Sequence, residues 1–134
     1  MGMEAATQTS AVDSDRRRVL IVDDEPGFAT LVAEYLETAN GRLETVTATD
    51  PRKALDRIDG SFDCIVTDYQ MAAMDGLTFL ERADTDTDFV LFTQVCDDAL
   101  AERVRDRGGT YVTKQSGAEQ FADLAALVCE QIAE

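Results

Sequence analysis

Five side chains able to do polar chemistry stand at or just after the ends of short apolar runs. Asp23 and Asp24 follow Val19-Leu20-Ile21-Val22, and Asp68 follows Ile65-Val66-Thr67. Thr93 ends the run Phe89-Val90-Leu91-Phe92, and Lys114 follows Tyr111-Val112-Thr113. Three carboxylates held within a few ångströms repel one another, so at least one has a raised pKa unless a cation neutralises the group. Oxygen ligands with water in the remaining positions suit Mg2+, with Mn2+ or Ca2+ as substitutes. The expected ligand set has Asp24 and Asp68 coordinating directly, Asp23 acting mainly through water, and the backbone carbonyl of Gln70 completing the protein's share. A carboxylate can attack phosphorus to form an acyl phosphate when a metal and an ammonium neutralise the transferring group. Lys114 offers that ammonium, and the Thr93 hydroxyl can donate to a phosphoryl oxygen. The sequence contains no histidine, which excludes a Ser/His/Asp triad, a histidine-ligated metal and a phosphohistidine within the chain.

These groups meet only if the apolar runs are neighbouring strands. Residues 19–22, 43–46, 62–67, 89–93 and 110–113 read as strands β1 to β5. Each is followed by a helical pattern, α1 to α5, at 28–36, 51–58, 76–80, 99–104 and 121–132. Asp50-Pro51 places a cap before a proline at the first helical position, and Gly108-Gly109 closes α4. In α5 the residues Phe121, Leu124, Ala125, Val128 and Ile132 form one apolar stripe. Strands that are apolar throughout belong to a parallel sheet covered on both faces. Right-handed crossovers then favour an α/β, flavodoxin-like doubly wound (βα)5 sandwich with strand order 2-1-3-4-5. Its ligand site lies beyond the carboxyl ends of strands 1 and 3. Residues 1–15 are small and polar and read as a flexible leader, with the folded unit at 16–134.

Composition narrows the function classes. The 134 residues include 27 Asp plus Glu against 12 Lys plus Arg, a formal net charge of −15. Nucleic-acid binding needs clustered positive charge, so this domain is not expected to do it. Self-repulsion of this size points to a salt-adapted, halophilic protein. Arg16-Arg17-Arg18 before an apolar run resembles an export signal, but Asp23-Asp24 ends the run after four residues. No apolar stretch approaches the roughly 18 residues of a membrane span. Three widely spaced cysteines, Cys64, Cys96 and Cys129, fit neither a disulfide framework nor a zinc site and suggest a reducing cytoplasm.

Four segments in order now carry a resemblance: Ile21-Val22-Asp23-Asp24-Glu25-Pro26; Asp68-Tyr69-Gln70-Met71-Ala72-Ala73-Met74-Asp75-Gly76; Leu91-Phe92-Thr93; and Tyr111-Val112-Thr113-Lys114. Over residues 17–133 the chain resembles the receiver domains of two-component response regulators, with a fold like the chemotaxis receivers. The resemblance implies phosphotransfer from a partner histidine kinase to Asp68, Mg2+ dependence, slow self-catalysed hydrolysis, and a shift of the α4-β5-α5 face, through which a homodimer would form. It implies that Tyr111 swings inward when Thr93 moves, and that the chain is a phosphoacceptor and not an enzyme for a separate metabolite. The downstream partner or output domain is unspecified. The chain is read either as a stand-alone receiver or as a module of a longer sensor kinase or regulator.

Three positions depart from the family's pattern: Ala72 and Gln115 stand where proline is usual, and Gln94 is bulky where a small residue is favoured. A cis bond after Lys114 would cost about 3–4 kcal/mol without proline. Gln94 and Gln70 are expected to modulate access to Asp68, Gln94 by obstructing the attacking water. The alternative function is a phosphorylation-independent interaction domain that keeps the fold. An aspartate-nucleophile phosphatase would want an acid where Gln70 stands, and a flavin carrier would want a glycine- and hydroxyl-rich phosphate loop after strand 1.

Overall fold

Alternation of side chains along a strand sends Val19 and Ile21 to one face and Leu20 and Val22 to the other, and all four are apolar, so both faces need a covering layer. The computed structural model, which describes residues 16–132, supplies both layers. Its strands are β1 (Arg17–Val22), β2 (Leu43–Ala48), β3 (Cys64–Thr67), β4 (Asp88–Thr93) and β5 (Thr110–Thr113). They alternate with α1 (Pro26–Ala39), α2 (Pro51–Leu55), α3 (Gly76–Ala83), α4 (Asp98–Asp106) and α5 (Glu119–Gln131). The sheet is parallel throughout, in the order β2-β1-β3-β4-β5 expected from the sequence. The proposed leader, 1–15, lies outside the described residues.

Two apolar layers form the core. Val19, Ile21, Val66, Val90 and Phe92 pack with Ala29, Val32 and Leu36 of α1 and with Phe121, Leu124, Ala125 and Val128 of α5. The opposite face joins Leu20, Val22, Ile65 and Leu91 to Ala54 of α2, Leu77, Phe79 and Leu80 of α3, and Leu100 and Val104 of α4. The α5 stripe therefore docks as its spacing predicts.

Local chemistry sets the helix ends. The Asp50 carboxylate accepts from the Arg52 amide at 2.9 Å, capping α2 just before Pro51. The α2 helix is shorter than the expected 51–58. After Leu55 the chain tightens into bonds three residues apart, Arg57 N–H to Ala54 O at 2.9 Å and Ile58 N–H to Leu55 O at 3.4 Å, before Gly60 turns it at φ +83°. β3 likewise starts at Cys64 and not at Phe62, which is buried ahead of the strand. Gly108 closes α4 at φ +79°, as expected. Among the described residues no helix is long and apolar enough to cross a membrane.

Candidate functional site

Strand register brings the predicted residues together. Val22 of β1 pairs with Thr67 of β3, so Asp23 and Asp68, the next residues, leave the sheet side by side. Thr93 of β4 pairs with Thr113 of β5, and the Lys114 amide donates to the Thr93 carbonyl at 2.7 Å. The chain thus delivers Asp23, Asp68, Thr93 and Lys114 to the carboxyl end of one sheet.

Among the described residues three polar ones are buried: Asp23, Thr67 and Thr93, all at or just beyond the carboxyl ends of β1, β3 and β4. Burying such groups is costly without partners, and each has one. The Asp23 carboxylate, 3% exposed as a residue, accepts from the Glu25 amide at 3.0 Å and from the Lys114 ammonium at 2.9 Å. Asp68 accepts from the Tyr69 amide at 2.7 Å through Oδ1 and from the same ammonium at 3.1 Å through Oδ2. Lys114 therefore bridges two carboxylates. Its ammonium also sits 4.0 Å from the centre of the Phe28 ring, which floors the site and helps replace lost water.

Electrostatics follow from this burial. Desolvation pushes the Asp23 carboxyl up from its ordinary value, and Lys114 and the Glu25 amide only partly oppose it. Burial alone would lower Lys114, but the hydrogen bond to Asp23 and the charges of Asp23 and Asp68 outweigh it and hold the ammonium above its ordinary value.

Asp24 is exposed, and its Oδ2 accepts from the Ala72 amide at 3.1 Å, 48 residues along the chain. One oxygen each of Asp23, Asp24 and Asp68 lies within 4.8 Å of the others. Three carboxylates against one ammonium leave two negative charges uncompensated when all are ionised. This all-oxygen set fits a hard divalent cation such as Mg2+, which would be held by carboxylates and water.

A cavity of about 220 Å3 opens over these groups, lined by Asp24, Glu25, Asp68, Gln70, Thr93, Gln94 and Lys114. Tyr111 is not among its lining residues. It is half-buried on the α2–α3–α4 side of the sheet, where its hydroxyl donates to the Val95 carbonyl and accepts from the Asp97 amide at 3.3 Å. The Val95 amide in turn donates to Thr93 Oγ1 at 3.3 Å, so one residue links Thr93 to Tyr111. The structure contains no cis peptide bond among the described residues, and with a trans Lys114–Gln115 bond the ammonium still reaches both carboxylates.

Sequence reasoning missed three participants. Phe28 was legible only as the first residue of the α1 pattern, Glu25 only as part of the first motif segment, and Val95 carries no side-chain signal; Ala72 was legible as a missing proline but not as an amide donor to Asp24. Met71 and Met74 pack against the core, as residue type suggests.

The family model described as the response regulator receiver domain matches residues 19–126. A protein-glutamate methylesterase/protein-glutamine glutaminase of Anaeromyxobacter dehalogenans is 42% identical over 66 residues, which are 48% of this chain and 18% of that protein. The matches span only about a fifth of the length of the first such relatives, 18% to 20%. A CheY-like receiver domain protein of Methanospirillum hungatei superposes with TM-score 0.75 at 21% identity, covering 88% of this chain and 94% of the other. The response regulator TrrA of Thermotoga maritima, solved in complex with Mg2+-BeF, superposes with TM-score 0.69 at 25% identity over 86% of this chain and 98% of its own.

Proposed function

The chain belongs to the response regulator receiver domain family of two-component signalling, and from that premise we propose that it is a phosphoacceptor switch with Asp68 as the acceptor. The carrying observation is the Lys114 ammonium shared between Asp68 and Asp23, with Asp24 beside them. Asp23, Asp24, Asp68 and the Gln70 carbonyl would hold Mg2+, with Mn2+ or Ca2+ as substitutes. The metal would offset charge on the entering phosphoryl group. Asp68 Oδ2 faces Lys114, so a phosphoryl group transferred from the donor to Asp68 would find an ammonium already in place, desolvated and fixed. Thr93 supplies a hydroxyl at the wall of the same cavity.

The readout would run through Val95. If the Thr93 hydroxyl turns to a phosphoryl oxygen, the Val95 amide loses its acceptor, and the loop that holds the Tyr111 hydroxyl is released toward the α4-β5-α5 face. Moving such a switch from 1:99 to 99:1 takes about 5.5 kcal/mol, more than one or two new charge-assisted bonds supply, so a partial shift of population is expected. The donor would be a histidine kinase, acting on a receiver that turns over no separate metabolite, and the recipient would be a protein or output domain contacting the α4-β5-α5 face, a homodimer among them. The compartment proposed is the cytoplasm.

Incubation with acetyl phosphate and Mg2+ tests this by intact mass. One phosphoryl increment is expected, abolished by Asp68→Asn and by chelation. Its absence in the parent chain favours the phosphorylation-independent interaction domain. Gln94 stands exposed at the cavity wall, and Gln94→Ala should shorten the lifetime of the phosphorylated form; an unchanged half-life removes its shielding role.

A further inference from the structure

Asp24 differs from its two neighbours in what holds it. Lys114 ties down Asp23 and Asp68, yet the hydrogen bond to Asp24 comes from a backbone amide, Ala72 N–H to Oδ2 at 3.1 Å. Asp24 and Ala72 are both exposed and sit on different loops, after β1 and after β3. The loop after β3 is fixed at its base by the Gly76 amide donating to the Tyr69 carbonyl at 2.7 Å, and between these residues the Ala72 amide bonds it to Asp24 on the β1 side. Gln70, which lines the cavity, lies between the two ties.

We propose that Ala72 is a positioning residue for the cation site: its amide fixes the Asp24 carboxylate by one oxygen, leaves the other free for the cation, and holds the Gln70 segment over the cavity. The inference rests on the Mg2+ site proposed above and adds a group outside the ligand set. An amide donating to a carboxylate makes a charge-assisted bond, which holds the side chain in one orientation. Ordering the ligand in advance removes an entropic cost from binding. Proline at 72 cannot make this bond because it has no N–H. The presence of a non-proline residue here is thus a functional property of this chain and not a neutral departure from pattern.

Mg2+ affinity measured by calorimetry on the folded chain tests the proposal with three variants. Ala72→Gly keeps the amide and should bind within about twofold of the parent. Ala72→Pro removes it and should bind about tenfold more weakly, the usual scale for losing a partner that orients a ligand. Asp24→Ala reports on the same bond from the other side: in the cation-free chain, hydrogen exchange at the Ala72 amide should accelerate at least several-fold, a readout that stands even if Ala72→Pro folds poorly. Equal Mg2+ affinity for Ala72→Pro and Ala72→Gly, or an Ala72 amide indifferent to Asp24→Ala, overturns the proposal while leaving the Mg2+ site intact. Failure of the parent chain to bind Mg2+ overturns both.

Discussion

Gly76 opens α3 with an ordinary negative φ, so its requirement is space and not conformational freedom. A Cβ placed there would lie 2.2 Å from the Asp68 carbonyl oxygen, 3.1 Å from the Asp68 carbonyl carbon and 3.1 Å from Leu91 Cδ1. Restoring ordinary contact takes a separation of about 1 Å between α3 and the end of β3, in a core that transmits such shifts. Asp68 is anchored by its amide to the Val22 carbonyl at 3.0 Å, and Gly76 by its amide to the Tyr69 carbonyl at 2.7 Å, so neither side yields freely. Overpacking of this kind costs about 1–3 kcal/mol, and roughly 1 kcal/mol returns from replacing a helical glycine. The net loss for Gly76→Ala is therefore up to about 2 kcal/mol, or a fall of up to roughly 10 °C in thermal midpoint for a domain of this size. Misplacing Asp68 by part of that ångström should also slow phosphorylation by acetyl phosphate about tenfold or more. Gly27→Ala is the control, since Gly27 lies in α1 with nothing within 4 Å of a Cβ. It should raise stability by about 0.5–1 kcal/mol. Circular-dichroism melts and intact-mass time courses on both variants decide the matter. A Gly76→Ala chain melting within about 1 °C of the parent and phosphorylated at the parent's rate refutes the packing account.

Charge and thiol chemistry yield further expectations. With a formal net charge of −15, the thermal midpoint should climb steeply from low to molar KCl, and a flat response removes the halophilic assignment. Burial first, then the Asp88 and Asp63 charges, pushes the Cys64 thiol up from 9.0 to about 12. Because its folded value is raised, its contribution is complete below pH 9 and is lost as pH rises toward 12, up to about 4 kcal/mol. Cys64→Val should lack that part of the alkaline decline in urea melts, and identical pH profiles refute the assignment. At pH 8 exposed Cys96 should react with a maleimide much faster than buried Cys64, which should label only on unfolding. Lys114, also held above its ordinary value, stabilises below pH 10.5 and ceases to do so at higher pH, so Lys114→Met should flatten the remaining alkaline loss.

Most of the fold was legible because runs such as Val19-Leu20-Ile21-Val22 admit few environments, and because Asp50-Pro51 and Gly108 mark helix ends by mechanisms that act locally. The overlong expectation for α2 came from reading Ile58 as periodic, whereas the chain had already tightened into i→i−3 turns ahead of Gly60. Asp23, Asp24, Asp68, Thr93 and Lys114 were legible because each stands at or just beyond a strand end, and the sheet order makes those ends converge. Tyr111 was legible as a position, but its link to Thr93 runs through the backbone of Val95, which leaves no trace in residue type. Ala72 was legible as a missing proline, but the acceptor of its amide, Asp24, 48 positions earlier in the chain, was not.

The cavity over Asp68 has acidic walls, Asp24 and Glu25, and a single cation already engaged at its base. A small anionic donor therefore approaches the cation-free cavity against a net negative field, on a molecule of formal net charge −15. A donor carried on a basic protein surface meets the opposite slope. On the phosphoacceptor reading proposed above, discrimination between free phosphorylated metabolites and a delivering protein would be imposed before contact, by long-range repulsion that salt can dial down.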